Sequence, residues 1–189
     1  MAAERAARRF RSLTWYLSFV LLRFVDSDAR VADALRKAFA PHAEVGVAHG
    51  DLLAAAEHAV VSPANSYGFM DGGIDRAFDA FFGPRLERDV RDAIQRRPEG
   101  FLPVGASLIV PTTHPRIRYV VVAPTMLMPE HVEAQNAYRA MRAVLRLARA
   151  EPIKGQPLYS SGLTTGVGGV SPAAAAEAMR EAYADWLRT

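Results

Sequence analysis

Three short segments of the 189-residue chain combine residue types that bind polar ligands or act on them. The first, His49-Gly50-Asp51-Leu52, closes an apolar run with a glycine turn and a carboxylate. A carboxylate there can accept a hydrogen bond from the exocyclic amine of a nucleobase, or it can cap the amides of a following turn. Taken alone, Asp51 reads as the cap. The second runs from Ser62-Pro63-Ala64-Asn65 through Tyr67 and Phe69 to Gly72-Gly73-Ile74-Asp75. Asn65 can both donate to and accept from a sugar diol, and the two glycines allow a close backbone approach where a helix starts. Free amides at a helix start attract phosphate. Asp75 can orient or deprotonate a water, although an acid in a first helical turn is also favourable with the helix dipole. The third is Ser161-Gly162-Leu163-Thr164-Thr165-Gly166-Val167-Gly168-Gly169, an anion cradle by composition. It has neither the lysine of a P-loop nor the spacing of the dinucleotide fingerprint.

Each segment follows an apolar run, so the elements in between decide whether the three can meet. Thr14 to Val25, Glu44 to Ala48, Ala59 to Val61, Ala106 to Val110, Tyr119 to Ala123 and Pro157 to Gly162 read as strands, short and rich in branched and aromatic residues. Asp26, Ser27 and Asp28 offer N-caps for a helix that runs to Ala40 and stops at Pro41. Further helices are predicted from Ile74 to Phe82, Pro84 to Arg97, Val132 to Ala150 and Pro172 to Leu187. Strands alternating with helices predict an α/β fold, a three-layer α/β/α sandwich around a mixed, mostly parallel sheet. Ligands bind such sheets outside the carboxyl ends of the strands, where all three segments lie.

Composition narrows the function less than it narrows the class. Half the residues are hydrophobic, 12 Pro and 13 Gly are spread through the chain, and the formal net charge is +3. These values suit one globular domain with a full core over residues 13–189. The absence of cysteine excludes a disulfide scaffold, a thiolate zinc site and a cysteine nucleophile. A balance of 23 basic against 20 acidic side chains does not argue for a nucleic-acid protein. Arg139, Arg142, Arg146 and Arg149 recur at helical spacing; such a stripe can track a phosphate backbone but more simply forms a solvated face. Arg5, Arg8, Arg9 and Arg11 precede the first apolar run in the manner of a secretory signal, but Arg23 interrupts that run. Residues 1–12 therefore read as a short flexible leader, and the apolar run is too short to span a membrane. A cytoplasmic location is expected.

Together, in this order and on these elements, the three segments resemble the macro domain, an α/β/α module that binds ADP-ribose. The family pattern has a Gly-Asp-Ile/Leu turn, an Asn-Ala-Ala-Asn strand end leading to a glycine loop with Gly-Val-Asp, and a later Ser-Thr-Gly-Ile-Phe-Gly loop. The matching stretches are Gly50-Asp51-Leu52, Pro63-Ala64-Asn65 through Gly72-Gly73-Ile74-Asp75, and Thr164-Thr165-Gly166-Val167-Gly168-Gly169. The resemblance extends from about Val45 to the carboxyl end. It implies that Asp51 accepts from the adenine amino group beside Leu52 and that Asn65 holds the distal ribose. The backbone at Gly72, Gly73 and Ile74 and from Thr164 to Gly169 would enclose the diphosphate. Asp75 follows Asn65 by ten residues, as in the branch that hydrolyses mono-ADP-ribose from proteins, where the aspartate assists the attacking water.

Three departures from the pattern bear on these roles. Ser62 replaces the first Asn of Asn-Ala-Ala-Asn, a change expected to loosen the loop. Gly168 stands where an aromatic usually closes over the distal ribose, leaving Tyr67 or Phe69 as substitutes. The family's terminal Phe-Val-x-Phe strand, acidic cap and helix are missing after the last helix, while Phe19-Val20-Leu21-Leu22-Arg23-Phe24-Val25-Asp26 and the helix after it resemble the same unit placed first. A circularly permuted order follows as a hypothesis, with Phe24 or a neighbour flanking the adenine. An outer-edge position for this strand would exclude it.

The resemblance thus implies binding of ADP-ribose or an ADP-ribosylated macromolecule, with nucleic acid entering only as a modified substrate, and hydrolysis of an ADP-ribosyl linkage by Asp75 and Asn65. The alternative is a reader that binds without turnover. No metal or redox cofactor is implied, since the five histidines have no metal-ligand spacing. Ser160-Ser161-Gly162 is not a nucleophile elbow, and Met126 and Met128 read as pocket or core filler.

Overall fold

Apolar runs too short for helices and covered on both sides have one stable arrangement, a sheet buried between helical layers. The computed structural model describes residues 20–70 and 72–189. The expected leader and the start of the expected strand at Thr14 lie outside the described residues. Six strands, β1 (Leu21–Asp26), β2 (Gly46–His49), β3 (His58–Ser62), β4 (Leu108–Pro111), β5 (Ile117–Val122) and β6 (Pro157–Ser160), form one sheet in the order β2-β1-β6-β3-β5-β4. All neighbours are parallel except β4 and β5, giving the mixed, mostly parallel sheet expected.

The helices are α1 (Ala29–Ala38), α2 (Leu52–Ala55), α3 (Gly73–Phe82), α4 (Arg85–Gln95), α5 (Ala134–Leu147) and α6 (Pro172–Leu187). Side-chain alternation along the central strands divides the core. Ala59 and Val61 of β3 pack with α1, α5 and α6, whereas Val60 packs with α2, α3 and α4, and all three are fully buried.

Local rules place the ends of these elements. Asp28 caps α1, its Oδ1 accepting from the Arg30 amide at 2.9 Å. Hydrogen bonds from the Arg30 side chain and amide lower its pKa to about 2. Ser171 caps α6 ahead of Pro172 in the first turn. The single-turn helix α2 was not expected from sequence, because four residues carry no periodicity; Asp51 caps it, and Arg116 closes it by donating to the carbonyls of Leu53, Ala54 and Ala56.

The arginine stripe that runs along α5 and just past its end is largely engaged within the molecule. Arg142 lies 3.6 Å from Asp185, Arg146 donates to the Gly105 carbonyl, and the Arg149 guanidinium sits 4.5 Å over the Trp186 ring. These contacts join α5 to α6 and to the segment before β4. Strand β1 lies inside the sheet between β2 and β6, not at an outer edge. Among the described residues no helix is long and apolar enough to cross a membrane.

Candidate functional site

A cleft of about 800 Å³ opens at the carboxyl ends of the strands and is lined by parts of all three segments singled out from sequence. Its volume falls in the usual range for small-molecule sites.

Asp51 and Leu52 form one end. The Asp51 Oδ1 accepts from the Leu53 and Ala54 amides at 2.8 and 3.2 Å, so this oxygen is the cap of α2, while the residue itself is exposed and lines the cleft. Leu52 is buried beside it.

Asn65 follows the end of β3 and is 5% exposed. Its Oδ1 accepts from the Tyr67 and Phe69 amides, and its Nδ2 donates to the Phe69 carbonyl at 2.8 Å. The side chain therefore shapes the loop as well as lining the cleft. One amide hydrogen remains available for a ligand, since Nδ2 carries two. Gly72 then caps α3 without a side chain, and Gly73 turns the chain with φ +56°. The first amides of a helix have no partner within it, and two residues that carry them here, Gly73 and Ile74, line the cleft.

Asp75 is 8% exposed, and its Oδ1 accepts from the Ser62 hydroxyl at 2.9 Å. Ser62 is fully buried. Where loosening by Ser62 was expected, the structure has a tie, a direct bond between the β3 end and the carboxylate. Sequence reading missed this contact because it joins residues 13 apart.

The third segment is held mainly by its own backbone. Val170 donates to the Thr164 carbonyl, Gly169 to that of Gly166, and Val132 to that of Gly168. Thr164 adopts φ +66°, an outlying conformation for a β-branched residue, and lines the cleft with Thr165, Gly166, Val167 and Gly168. Gly169 differs from the rest of the loop. It does not line the cleft; it has φ +68°, and a Cβ there would lie 2.2 Å from Nδ1 of His131, so it is needed for the turn and for clearance. At Gly168 a Cβ would lie 2.6 Å from the Thr164 carbonyl oxygen, which leaves this loop no room for the aromatic expected there.

Of the alternatives at the end of β1, Phe24 or a neighbour, Phe24 is not on the cleft. It is fully buried against Phe39, with ring centroids 4.8 Å apart, on the side of α1, α5 and α6. Its neighbour Val25 faces the opposite way and lines the cleft, as do Asp26, Ser27 and Asp28 at and beyond the carboxyl end of β1. Of the two substitute aromatics, Phe69 lines the cleft, with the Arg91 guanidinium 4.6 Å from its ring; Tyr67 packs towards Phe101 and does not. Met126 lines the cleft and Met128 is exposed.

From the sequence Asp26 is only a possible cap. Its Oδ1 accepts from the Asp28 amide and its Oδ2 from the Gly162 amide, both at 2.9 Å, clamping the start of α1 to the glycine loop. The acidic side chains on the lining are Asp26, Asp28, Asp51 and Asp75, and among the described lining residues there is no Lys, Arg or His. Among the described residues no group of three or more His, Cys, Asp or Glu could hold a metal ion.

The macro domain family model matches residues 61–179, well over half of the chain, and the chain belongs to this family. An O-acetyl-ADP-ribose deacetylase of Escherichia fergusonii is 31% identical over 145 residues, covering 76% of this chain and 80% of that protein. The macrodomain of Mycobacterium tuberculosis DarG superposes with a TM-score of 0.62 at 22% identity, covering 72% of this chain and 87% of that one. Thermosipho africanus DarTG in complex with ADP-ribose superposes with a TM-score of 0.61 at 17% identity, covering 86% of this chain and 50% of that one. At these identities the two structures show the shared fold.

Proposed function

We propose that the cleft binds ADP-ribose and hydrolyses an ADP-ribosyl linkage, on a macromolecule or in a small ADP-ribose derivative. The observation that carries the proposal is the meeting in one cleft of Asp51, Asn65, the start of α3 with Asp75, and the loop from Thr164 to Gly168. In this reading the adenine lies by Asp51 and Leu52. The diphosphate lies between the first amides of α3 and the glycine loop, where backbone dipoles supply positive potential without cationic side chains. Asn65 donates its remaining amide hydrogen to the distal ribose.

Asp75 then orients a water against the anomeric carbon. The water oxygen forms a bond to that carbon as the bond to the substituent breaks, and the bonding pair leaves with the substituent. The water proton passes to the Asp75 carboxylate or to the substrate's own phosphate, and the leaving group takes up a proton from solvent. Ser62 fixes the carboxylate through its bond to Oδ1. The deacetylase name of the Escherichia fergusonii relative supports a hydrolytic reading.

A second reading, binding without turnover, is favoured by one observation. The loop has no room for a side chain at Gly168, so no aromatic from that position presses on the distal ribose. Calorimetric titration with ADP-ribose, followed by turnover assays on mono-ADP-ribosylated protein, on ADP-ribosylated DNA and on O-acetyl-ADP-ribose, tests both. Under the enzyme reading Asp75→Asn, which keeps an acceptor for Ser62, binds ADP-ribose and loses turnover. Tight binding by the wild type with no turnover on any of the three substrates selects the reader.

A further inference from the structure

We propose that Ser161 is a further ligand-binding residue, whose hydroxyl donates a hydrogen bond to a ring nitrogen of the adenine and so helps to select that base. This inference rests on the ADP-ribose reading above and concerns the end of the cleft at which the base lies.

The first observation is a polar group that the protein leaves without a partner. The buried polar side chains on the described cleft lining are those of Asn65, Asp75, Thr125, Ser161 and Thr164. Asn65 holds the backbone of Tyr67 and Phe69, and Asp75 accepts from Ser62. The Thr125 hydroxyl donates to the Pro63 carbonyl, and that of Thr164 to the Leu163 carbonyl. Ser161 is 6% exposed, and among the described residues its hydroxyl has no hydrogen-bond partner. Among those residues the side-chain polar atom that is both unpartnered and sealed from solvent is Trp186 Nε1, so the Ser161 hydroxyl is open to the cleft that the residue lines. Leaving a buried hydroxyl unpaired is costly, so a ligand that fills the cleft gains by bonding to it.

The second observation is where that hydroxyl sits. Ser161 directly follows β6, which lies between β1 and β3. The next residue, Gly162, donates its amide to Asp26 Oδ2, and the Asp26 carbonyl accepts from the Gly50 amide, each at 2.9 Å. These bonds link the residue after Ser161 to the residue before Asp51, and they hold the end of β6 beside the base end of the cleft. Val25, Leu52 and Leu53, also on the lining and buried, give that end an apolar wall on which a planar ring can lie. Adenine presents its amine as a donor and its ring nitrogens as acceptors. The Asp51 carboxylate suits the amine, and a hydroxyl, which can donate, suits a ring nitrogen. Ser161 precedes the stretch from Thr164 to Gly169 that matches the family pattern, so the pattern assigns it no role.

The test is calorimetric titration of the full chain and of Ser161→Ala with ADP-ribose, with AMP, and with analogues of AMP in which CH replaces N1, N3 or N7, beside thermal melts of both proteins. Ser161→Ala is expected to bind ADP-ribose and AMP about five- to tenfold more weakly, the factor of one hydrogen bond between neutral groups. One of the three analogues is expected to show the same loss on the wild type and no further loss on Ser161→Ala. The variant should melt no more than about 2 °C below the wild type, because no group in the protein loses a partner. Unchanged affinity of Ser161→Ala for ADP-ribose overturns this inference and leaves the ADP-ribose reading intact. A loss that AMP does not share, or that none of the analogues reproduces, takes the hydroxyl away from the base and overturns the inference likewise. A larger fall in melting temperature marks a structural role and does the same. Failure of the wild type to bind ADP-ribose overturns both readings.

Discussion

In the wall formed by residues 65–70 and 72–75 a polar side chain holds the loop, whereas in the wall formed by residues 161–169 the absence of side chains does much of the holding. Asn65 makes hydrogen bonds to the backbone of Tyr67 and Phe69 and so fixes the path towards α3. Across the cleft, Gly162 and Gly168 are required because a Cβ would lie 2.4 Å from Val31 and 2.6 Å from the Thr164 carbonyl oxygen. Gly72 and Gly166 differ from both groups, for a Cβ on either would meet nothing within 4 Å. The same residue type thus encodes clearance at some positions and open space on the cleft at others. A glycine-rich loop is therefore weak evidence of a site until its neighbours are known.

The comparison predicts a graded response to substitution. Gly168→Phe, which introduces the aromatic of the family pattern, should lower stability by about 3 kcal/mol through overpacking against backbone. A urea midpoint equal to that of the wild type would show that the loop can move aside. Asn65→Ala should cost about 2 kcal/mol, since it leaves the Tyr67 and Phe69 amides and the Phe69 carbonyl without their side-chain partner. Its effect on ligand binding is therefore to be read together with its thermal melt.

Asp28 tests a weaker, pH-dependent hold on the same region, the start of α1 that Asp26 ties to Gly162. Its folded pKa is depressed from 3.8 to about 2, first by the hydrogen bond from the Arg30 side chain. The capping contribution is thus fully present above the unfolded value and lost as pH falls through the folded one. The stability difference between wild type and Asp28→Ala should shrink between about pH 5 and pH 2, and a difference that grows on acidification would contradict the assignment. The smallest effect on stability is expected at Gly166→Leu, within about 0.5 kcal/mol, because the new side chain starts in open space. The same variant should weaken ADP-ribose binding by on the order of tenfold or more, measured by calorimetry.

Much of the fold was legible because strands buried on both faces read as apolar runs and long helices carry their own period. The strand around Val60 and the buried stripe of Met141, Val144 and Leu145 are examples. Ends were less legible. The strand predicted from Thr14 is observed from Leu21, one residue after the described residues begin, to Asp26, and the helix predicted over Val132 to Ala150 is observed from Ala134 to Leu147. Helix α2 went unread because one turn has no period; its cap, Asp51, was the visible trace. At the site, the segments containing Asp51, Asn65 and Asp75 could be picked out because their residue types sit next to strand ends. The clamp by Asp26 could not, since its partner Gly162 is 136 residues away.

By itself the sequence determined the succession of strands and helices, the family, and the three loops that had to meet, because local patterning and chain order are enough to place loops at strand ends. Only the tertiary structure decided which glycines line the cleft, that Phe24 turns into the core, that Ser62 holds Asp75, and that the described cleft lining carries carboxylates without cations. Those properties depend on distances between residues far apart in the chain, and they are fixed only when the layers pack.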